Sequence, residues 1–151
     1  MLLHSLSENQ KTKAILIKDV PKDILNNPNS SKRFTDYSGI SAEEFNEDQM
    51  ASLTLLIEEY IYDFEHTTSH QLCDRINKTG LSNIYFAWIG STEQNKPHYY
   101  VINGPDFLIE YDNVGRQNDG NHIHRILREK GNDFGVDILK NHYLKSEHHK
   151  N

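Results

Sequence analysis

Hydrophobic residues in the first half of the chain recur at the spacing of an α-helix. The clearest stripe follows the i, i+3, i+4, i+7 pattern, which places its members on one helical face. It consists of Met50, Leu53, Leu56, Ile57, Tyr60, Ile61 and Phe64. Asn46 and Gln49 stand three residues apart just before it, as in a capping box. The pattern predicts a helix that starts after Asn46 and packs this stripe into the core.

Two shorter helices are predicted, one before and one after this helix. Ser7 and Gln10 form another capping-box pair, and the helix that follows them is expected to end near Pro21. Its apolar residues are Ala14, Ile15 and Ile17. A third helix is expected from about residue 69 to residue 78, with Gly80 as its C-terminal stop.

After Gly80 the chain takes on the character of β-strands. Four short runs rich in aromatic and β-branched residues are separated by turn signals. They cover residues 83–89, 98–102, 107–113 and 122–129. Asp133 is then placed to cap a last apolar run with helical spacing. The final residues, 146–151, have no apolar pattern and are expected to be disordered.

Together these elements predict an α+β fold. N-terminal helices pack on a three- to four-stranded antiparallel meander, and a C-terminal helix follows the meander. The apolar residues of that last helix are Phe134, Ile138, Leu139 and Tyr143. The length of 151 residues suits a single domain that covers residues 1–151.

Composition argues against several classes of partner. The formal net charge of −6 and the scattered basic residues disfavour nucleic acid and anionic membrane surfaces. Cys73 is the single cysteine, which excludes an intramolecular disulfide and a cysteine-based zinc site. No apolar run is long enough to span a membrane, and the first residues lack the pattern of a signal peptide. The chain as given is expected to be cytoplasmic, or else to be part of a longer one.

The candidate chemistry lies on a hairpin predicted between residues 107 and 128. Successive strand residues point to opposite faces, so Glu110 and Asp112 share one face. His122 and His124 share a face for the same reason. Pairing Asp112 with His122 sets Glu110 opposite His124 and gathers two carboxylates and two imidazoles on one side. The other side then collects the apolar residues Phe107, Ile109, Tyr111, Ile123 and Leu127.

Imidazoles and carboxylates on one rigid face support three interpretations. Two histidines with one or two carboxylates can hold Zn²⁺ or Fe²⁺ while coordination positions stay open. Without a metal, a histidine oriented by a carboxylate acts as a general base. The third interpretation is a polar sheet face whose cross-strand pairs contribute only to stability. A slip of one residue in the strand pairing would send one pair to the opposite face.

His98 is a further candidate, and its side of the sheet depends on the turn at residues 103–106. A four-residue turn pairs Ile102 with Phe107 and places His98 on the face opposite to Glu110. A turn of three or five residues reverses this and adds His98 to the cluster. The candidate catalytic residues are Glu110, Asp112, His122 and His124, and the candidate ligands of a divalent metal are these four with His98.

Three phrases in the second half of the chain carry a resemblance to a known family. They are YFAWIGSTEQNKPHYYVINGPDFLIEYDN, QNDGNHIHRILRE and NDFGVDILKNHY, in this order. They closely resemble the C-terminal region of the domain of unknown function 3500 family, over Leu81 to Tyr143 and more loosely over Gly39 to Tyr60. That family is uncharacterised, so the resemblance implies the place of a site rather than an activity. Its polar motif falls on His98, Glu110, Asp112, Asn113, Asn121, His122 and His124.

Two departures from the family pattern shape the expectation. Family members are generally longer, which implies that this chain corresponds to a C-terminal half. The hairpin loop from Val114 to Gly120 is also longer than the usual connection. We expect a metal-dependent or acid–base enzyme, a hydrolase or oxidoreductase, acting on an unidentified small molecule. The alternative is a non-catalytic binding or assembly module, completed by another copy or by a missing N-terminal half.

Overall fold

An antiparallel sheet organises the structure, a computed structural model that describes residues 1–25, 37–115 and 119–130. Its strands are β1 (Ile40–Ser41), β2 (Tyr85–Gly90), β3 (His98–Asn103), β4 (Phe107–Asp112) and β5 (His124–Glu129). They lie in the order β1-β2-β3-β4-β5, so each strand pairs with its neighbours in sequence. The predicted meander is confirmed. It has five strands rather than three or four because Ile40 and Ser41 pair with the outer edge of β2.

The helices occupy the first half of the chain, as predicted, and the α+β class is confirmed. They are α1 (Leu2–Ser5), α2 (Glu8–Ala14), α3 (Glu47–Ile61) and α4 (His66–Thr79), with 3₁₀ turns at Ala42–Glu44 and Leu81–Asn83. The helix predicted after Asp133 and the tail at 146–151 lie outside the described residues. In the described part of the chain, no helix has both the length and the apolar character needed to span a bilayer.

Both predicted capping boxes are present. The Ser7 side chain accepts the backbone N–H of Gln10, and the Gln10 side chain accepts the N–H of Ser7. Asn46 and Gln49 make the same reciprocal pair at the start of α3. Such pairs satisfy backbone donors that the first turn of a helix leaves without partners. The two helix starts that rest on local chemistry are therefore correct.

Helix α4 starts three residues earlier than predicted. The carboxylate of Glu65 accepts the backbone N–H groups of Thr67 and Thr68, so the helix begins at His66 rather than at Ser69. Glutamate is not a favoured cap residue, which explains why the sequence pattern missed it. Gly80 ends the helix as predicted, with a φ of 87° that residues with a side chain rarely adopt.

Helix α2 is shorter than predicted. It ends at Ala14 because Ile15 bridges in parallel to Trp88 of β2 and the N–H of Leu16 donates to the Trp88 carbonyl at 2.8 Å. Ile17, expected on the apolar side of a helix, is instead fully exposed. We call residues 15–25 the covering segment, because they leave the edge of β2 and cross one face of the sheet.

The two faces of the sheet bury different sets of side chains. The helix face packs against α3 and α4 and carries Phe86, Trp88, Tyr100, Ile102, Phe107 and Ile109. The acidic face carries Ala87, Ile89, Tyr99, Val101 and Leu108 together with the buried carboxylates Glu110 and Asp112. Leu16, Val20 and Leu25 of the covering segment pack on the acidic face.

Asp112, Glu110 and His124 lie on the predicted face, but the predicted pairs are wrong by two residues. His122 and Ile123 were predicted to belong to the last strand, but they precede β5, and Ile123 is exposed. Asp112 pairs with His124 rather than with His122, and Glu110 pairs with Ile126. The β3–β4 turn shifts in the same way, so that Ile102 pairs with Ile109 and not with Phe107. A shift of two residues keeps every side chain on its face, whereas a shift of one would have exchanged the faces.

A buried hydrogen bond joins the helix layer to the sheet. The hydroxyl of Tyr60 on α3 lies 2.7 Å from the hydroxyl of Tyr100 on β3. Burial raises the pKa of Tyr60 to about 12 and raises that of Tyr100 further. Each hydroxyl is the buried hydrogen-bond partner of the other.

We expect Tyr60→Phe and Tyr100→Phe each to lower the free energy of unfolding by about 1–3 kcal/mol, because each change leaves one buried hydroxyl without its partner. The free energy of unfolding of the double variant should fall by no more than that of the less stable single variant, since the double variant removes both hydroxyls. Denaturant unfolding of the four proteins at neutral pH measures this. If the decrease in the double variant equals the sum of the two single decreases, the two hydroxyls are not coupled and the prediction is wrong.

The same pair predicts a loss of stability at high pH. An unfolded tyrosine ionises near pH 10, but the folded protein holds Tyr60 neutral up to about pH 12. The stabilisation from the neutral phenols is therefore complete below about pH 10 and falls as the pH rises towards 12. Unfolding measured from pH 8 to 12 should show a smaller decline in the Tyr60→Phe/Tyr100→Phe variant than in the wild type. Equal declines would contradict this.

Candidate functional site

His124, the first residue of β5, lies between two carboxylates. Its Nδ1 atom is 2.9 Å from Oδ1 of Asp23 and 3.4 Å from Oδ2 of Asp112. The strand register brings Asp112 directly opposite His124. The three ligand atoms lie within 4.8 Å of one another. Two residues predicted from the sequence, Asp112 and His124, are therefore together, and they are joined by one that was not predicted.

Asp112 is the buried member of this group, with 0% of its side chain exposed. Its Oδ1 atom accepts the backbone N–H of Val114 at 3.2 Å, but Oδ2 has no hydrogen-bond partner within the described parts of the chain. Burial raises the pKa of Asp112, against the opposing effects of Val114 and His124. A buried carboxylate oxygen without a donor is costly, so this position calls for a proton or a cation.

Asp23 reaches the site because the covering segment is fixed at both ends. The N–H of Leu16 is bonded to β2, and the N–H of Leu25 donates to Oε1 of Glu110 at 3.0 Å. Val20 lies against Gly90, where a Cβ atom would stand 2.6 Å from a Val20 methyl group. Asp23 itself remains half-exposed. No sequence pattern singles out this residue, since it lies in a loop 101 residues from His124.

His122 lies beside the group rather than in it. Its Nε2 atom is 2.9 Å from Nε2 of His124, and the two rings stand edge to face at 83°. One of these nitrogens must donate to the other. When a neutral His124 carries its proton on Nδ1 and donates it in a hydrogen bond to Asp23, its Nε2 accepts a hydrogen bond from His122. If Nδ1 gives up that proton, Nε2 of His124 becomes the donor.

Gly115 allows the hairpin loop to reach His122. Its φ of 58° lies in the left-handed region, and a Cβ atom there would stand 2.5 Å from Cβ of His122. Asn113 fixes the same loop by accepting the N–H of His98 and donating to the carbonyls of Lys96 and Gly120. Asn121, by contrast, bonds only to Asp119 among the described residues.

Glu110 is buried on the acidic face, but the structure uses it differently from the prediction. Its carboxylate accepts the hydroxyl of Tyr99 and the backbone N–H of Leu25, which holds the covering segment on the sheet. Its strand partner is Ile126 and not His124, because of the two-residue shift in register. Among the described residues, the ligand group around His124 does not include Glu110.

His98 lies on the opposite side of the sheet from this group. Its ring stacks between Trp88 and Tyr111, with ring centroids 4.4 and 5.3 Å away. A turn closed by the bond from the N–H of Gly104 to the carbonyl of Phe107 produces this placement. The assignment of His98 as a ligand beside His124 is therefore corrected.

We expect Asp112→Asn to raise the free energy of unfolding of chelator-treated protein by roughly 1 kcal/mol at pH 7, because a neutral amide replaces a buried carboxylate that lacks a partner. Asp23→Asn is the matched control. Its side chain is half-exposed, so the same change should have little effect. Urea unfolding measures both. Destabilisation by Asp112→Asn would show that the ionised group already has a compensating partner.

The site residues fall inside a family match. A family model described as protein of unknown function (DUF3500) matches residues 1–136, which include Asp23, Asp112, His122 and His124. The match extends upstream of the segments that carry the sequence resemblance. No curated protein and no solved structure shows significant similarity to the chain. Since the match covers most of the 151 residues, the chain belongs to the DUF3500 family.

Proposed function

We propose that the protein binds one divalent metal ion through Asp23, Asp112 and His124 and uses it to hydrolyse a small molecule. The buried Oδ2 atom of Asp112, aimed at His124 without a donor of its own among the described residues, is the observation that carries this proposal. A cation supplies the missing compensation. A proton on Asp112 is the competing explanation, and it supports acid–base chemistry without a metal.

The spacing of the group suits a metal such as Zn²⁺. Two ligand atoms that each lie about 2.1 Å from a tetrahedral ion are about 3.4 Å apart. The Asp112 Oδ2 and His124 Nδ1 atoms have this separation of 3.4 Å. The 2.9 Å contact between Asp23 and His124 would lengthen slightly. One imidazole nitrogen and two carboxylate oxygens are donors that zinc and ferrous iron accept.

His122 has a consistent place in this arrangement. With Nδ1 of His124 on the ion, the Nε2–H of His124 donates to His122 across the 2.9 Å contact. Such an outer partner orients a ligating imidazole and raises its basicity. His122 is exposed, so its ring is in contact with solvent.

Hydrolysis fits the set of three protein ligands better than a purely structural role does. Structural zinc sites are closed by four protein ligands, whereas catalytic sites use three and leave a position for water. The side chains of Asp23 and His124 are 56% and 39% exposed, so solvent and a small substrate reach this position. An ion held by Asp23, Asp112 and His124 would lower the pKa of such a water molecule and supply a nucleophile near neutral pH. The proposal retains the expectation of a cytoplasmic enzyme.

Metal titration of the chelator-treated full chain tests the binding part. We expect one tight Zn²⁺ or Fe²⁺ site per chain, weakened by about a hundredfold or more in Asp112→Asn and in His124→Ala, because each change removes a ligand. The His66→Ala/His70→Ala variant is the matched control, since it removes an exposed pair on α4 whose Nε2 atoms are 3.1 Å apart. Calorimetry and elemental analysis measure affinity and stoichiometry. Tight binding that survives His124→Ala would refute this site.

Hydrolysis is tested on the protein loaded with metal. A panel of small esters, amides and phosphate esters should include a substrate whose cleavage stops on chelation and returns with Zn²⁺. The rate with that substrate should fall by at least about a hundredfold in Asp112→Asn and remain unchanged in His66→Ala/His70→Ala. Metal binding without metal-dependent hydrolysis of the panel would contradict the catalytic part. An oxidation that depends on Fe²⁺ would assign the same site to redox chemistry.

A further inference from the structure

A cavity of about 550 Å³ opens on the helix face, on the other side of the sheet from His124. This volume is within the range of about 300–1,000 Å³ that small-molecule pockets occupy. Its wall includes four rings, those of Trp88, His98, Tyr100 and Tyr111, and also Leu56 from α3. None of these residues belongs to the candidate metal site.

The four rings form an ordered stack on the sheet. Trp88 lies opposite Tyr100 in the β2–β3 pairing, and Tyr100 lies opposite Tyr111 in the β3–β4 pairing. Neighbouring ring planes are within 7–16° of parallel, and their centroids are 4.4–5.9 Å apart. Each ring uses a face in these contacts, which leaves its electropositive edge for a molecule in the cavity. Ring edges pack well on the face of another aromatic ring.

His98 contributes a hydrogen-bond acceptor with a fixed orientation. Its Nδ1 atom is 2.8 Å from the carbonyl of Lys96, so Nδ1 carries the proton and Nε2 carries a lone pair. Burial lowers the pKa of His98, which keeps the ring neutral at pH 7. Among the described residues Nε2 has no hydrogen-bond partner. It is not one of the fully buried polar atoms, so it is at least partly accessible. Because His98 lines the cavity and its Nδ1 is already bonded to Lys96, Nε2 is the ring nitrogen left for a ligand there.

We propose that this cavity binds a small neutral aromatic molecule that carries one hydroxyl or N–H donor, with the donor bonded to Nε2 of His98. The apolar wall and ring edges accept the aromatic body, and the imidazole selects the donor. The described lining includes the carboxylate of Glu93 and the imidazole of His4 but no lysine or arginine, so it holds no permanently cationic side chain to pair with an anionic aromatic molecule. The site is independent of the metal chemistry on the acidic face.

The single tryptophan of the chain makes the cavity directly observable. The indole N–H of Trp88 donates to the carbonyl of Ser91 at 3.1 Å and gives one isolated signal in a ¹H–¹⁵N spectrum. We expect saturable shifts of this signal with 4-methylphenol and with p-xylene, which has the same shape without a donor. His98→Phe keeps a ring in the stack but removes Nε2. It should weaken 4-methylphenol about three- to tenfold, the effect of one neutral hydrogen bond, and leave p-xylene within about twofold.

Two further variants test selectivity and location. His70→Phe makes the same substitution on the exposed side of α4, and it should change the affinity of neither probe. Leu56→Phe narrows the cavity while retaining His98, so it should weaken both probes by about tenfold even if His98→Phe fails to fold. Three results would overturn the proposal: no saturable shift of the Trp88 signal, equal weakening of both probes by His98→Phe, or unchanged binding in Leu56→Phe.

Discussion

The carboxylate of Asp112 imposes the constraint on which the acidic face depends. It is buried in the strand register opposite His124, and one of its oxygens has no donor among the described residues. A covering segment lies over this face, bonded to β2 at Leu16 and to Glu110 at Leu25. The segment shields the carboxylates from water and also delivers Asp23 to the imidazole of His124. The covering segment and the strand register therefore bury Asp112 and also bring Asp23, Asp112 and His124 together.

The sheet keeps two kinds of chemistry apart. Strand alternation sends Asp112 and His124 to the acidic face and sends His98 and Tyr111 to the helix face. On the acidic face Nδ1 of His124 lies 2.9 Å from a carboxylate oxygen of Asp23 and 3.4 Å from one of Asp112. On the helix face His98 is stacked between aromatic rings and is neutral, which favours hydrogen bonding to an uncharged ligand. The two histidines therefore differ in their neighbours, which are carboxylates for His124 and aromatic rings for His98.

Local chemistry in the sequence was sufficient to predict much of the fold. The capping boxes at Ser7 and Asn46 start helices where expected, because such pairs act within one turn. The faces of Asp112 and His124 were also correct, because alternation along a strand survives a shift of two residues. The pairing itself was wrong by two residues, since hydrophobic alternation does not distinguish registers that differ by two.

The remaining errors concern contacts that no local pattern encodes. Asp23 lies in an irregular segment and meets His124 only through the tertiary packing of that segment. Glu110 lies on the predicted face of the sheet, but its carboxylate accepts hydrogen bonds from the Tyr99 hydroxyl and the Leu25 N–H. The face on which His98 lies depends on the length of the turn at residues 103–106, and the sequence left both faces open. The sequence thus indicated the strand pair that carries the candidate site, whereas the contact with Asp23 depends on tertiary packing.

Anomalous X-ray diffraction from crystals of the full chain grown with Zn²⁺ tests the central claim most directly. The account predicts one strong peak about 2.0–2.2 Å from Nδ1 of His124 and from carboxylate oxygens of Asp112 and Asp23. His122 should then lie within hydrogen-bond distance of Nε2 of His124. A peak at the exposed His66–His70 pair with none at His124, or no peak in the protein at all, would contradict the account.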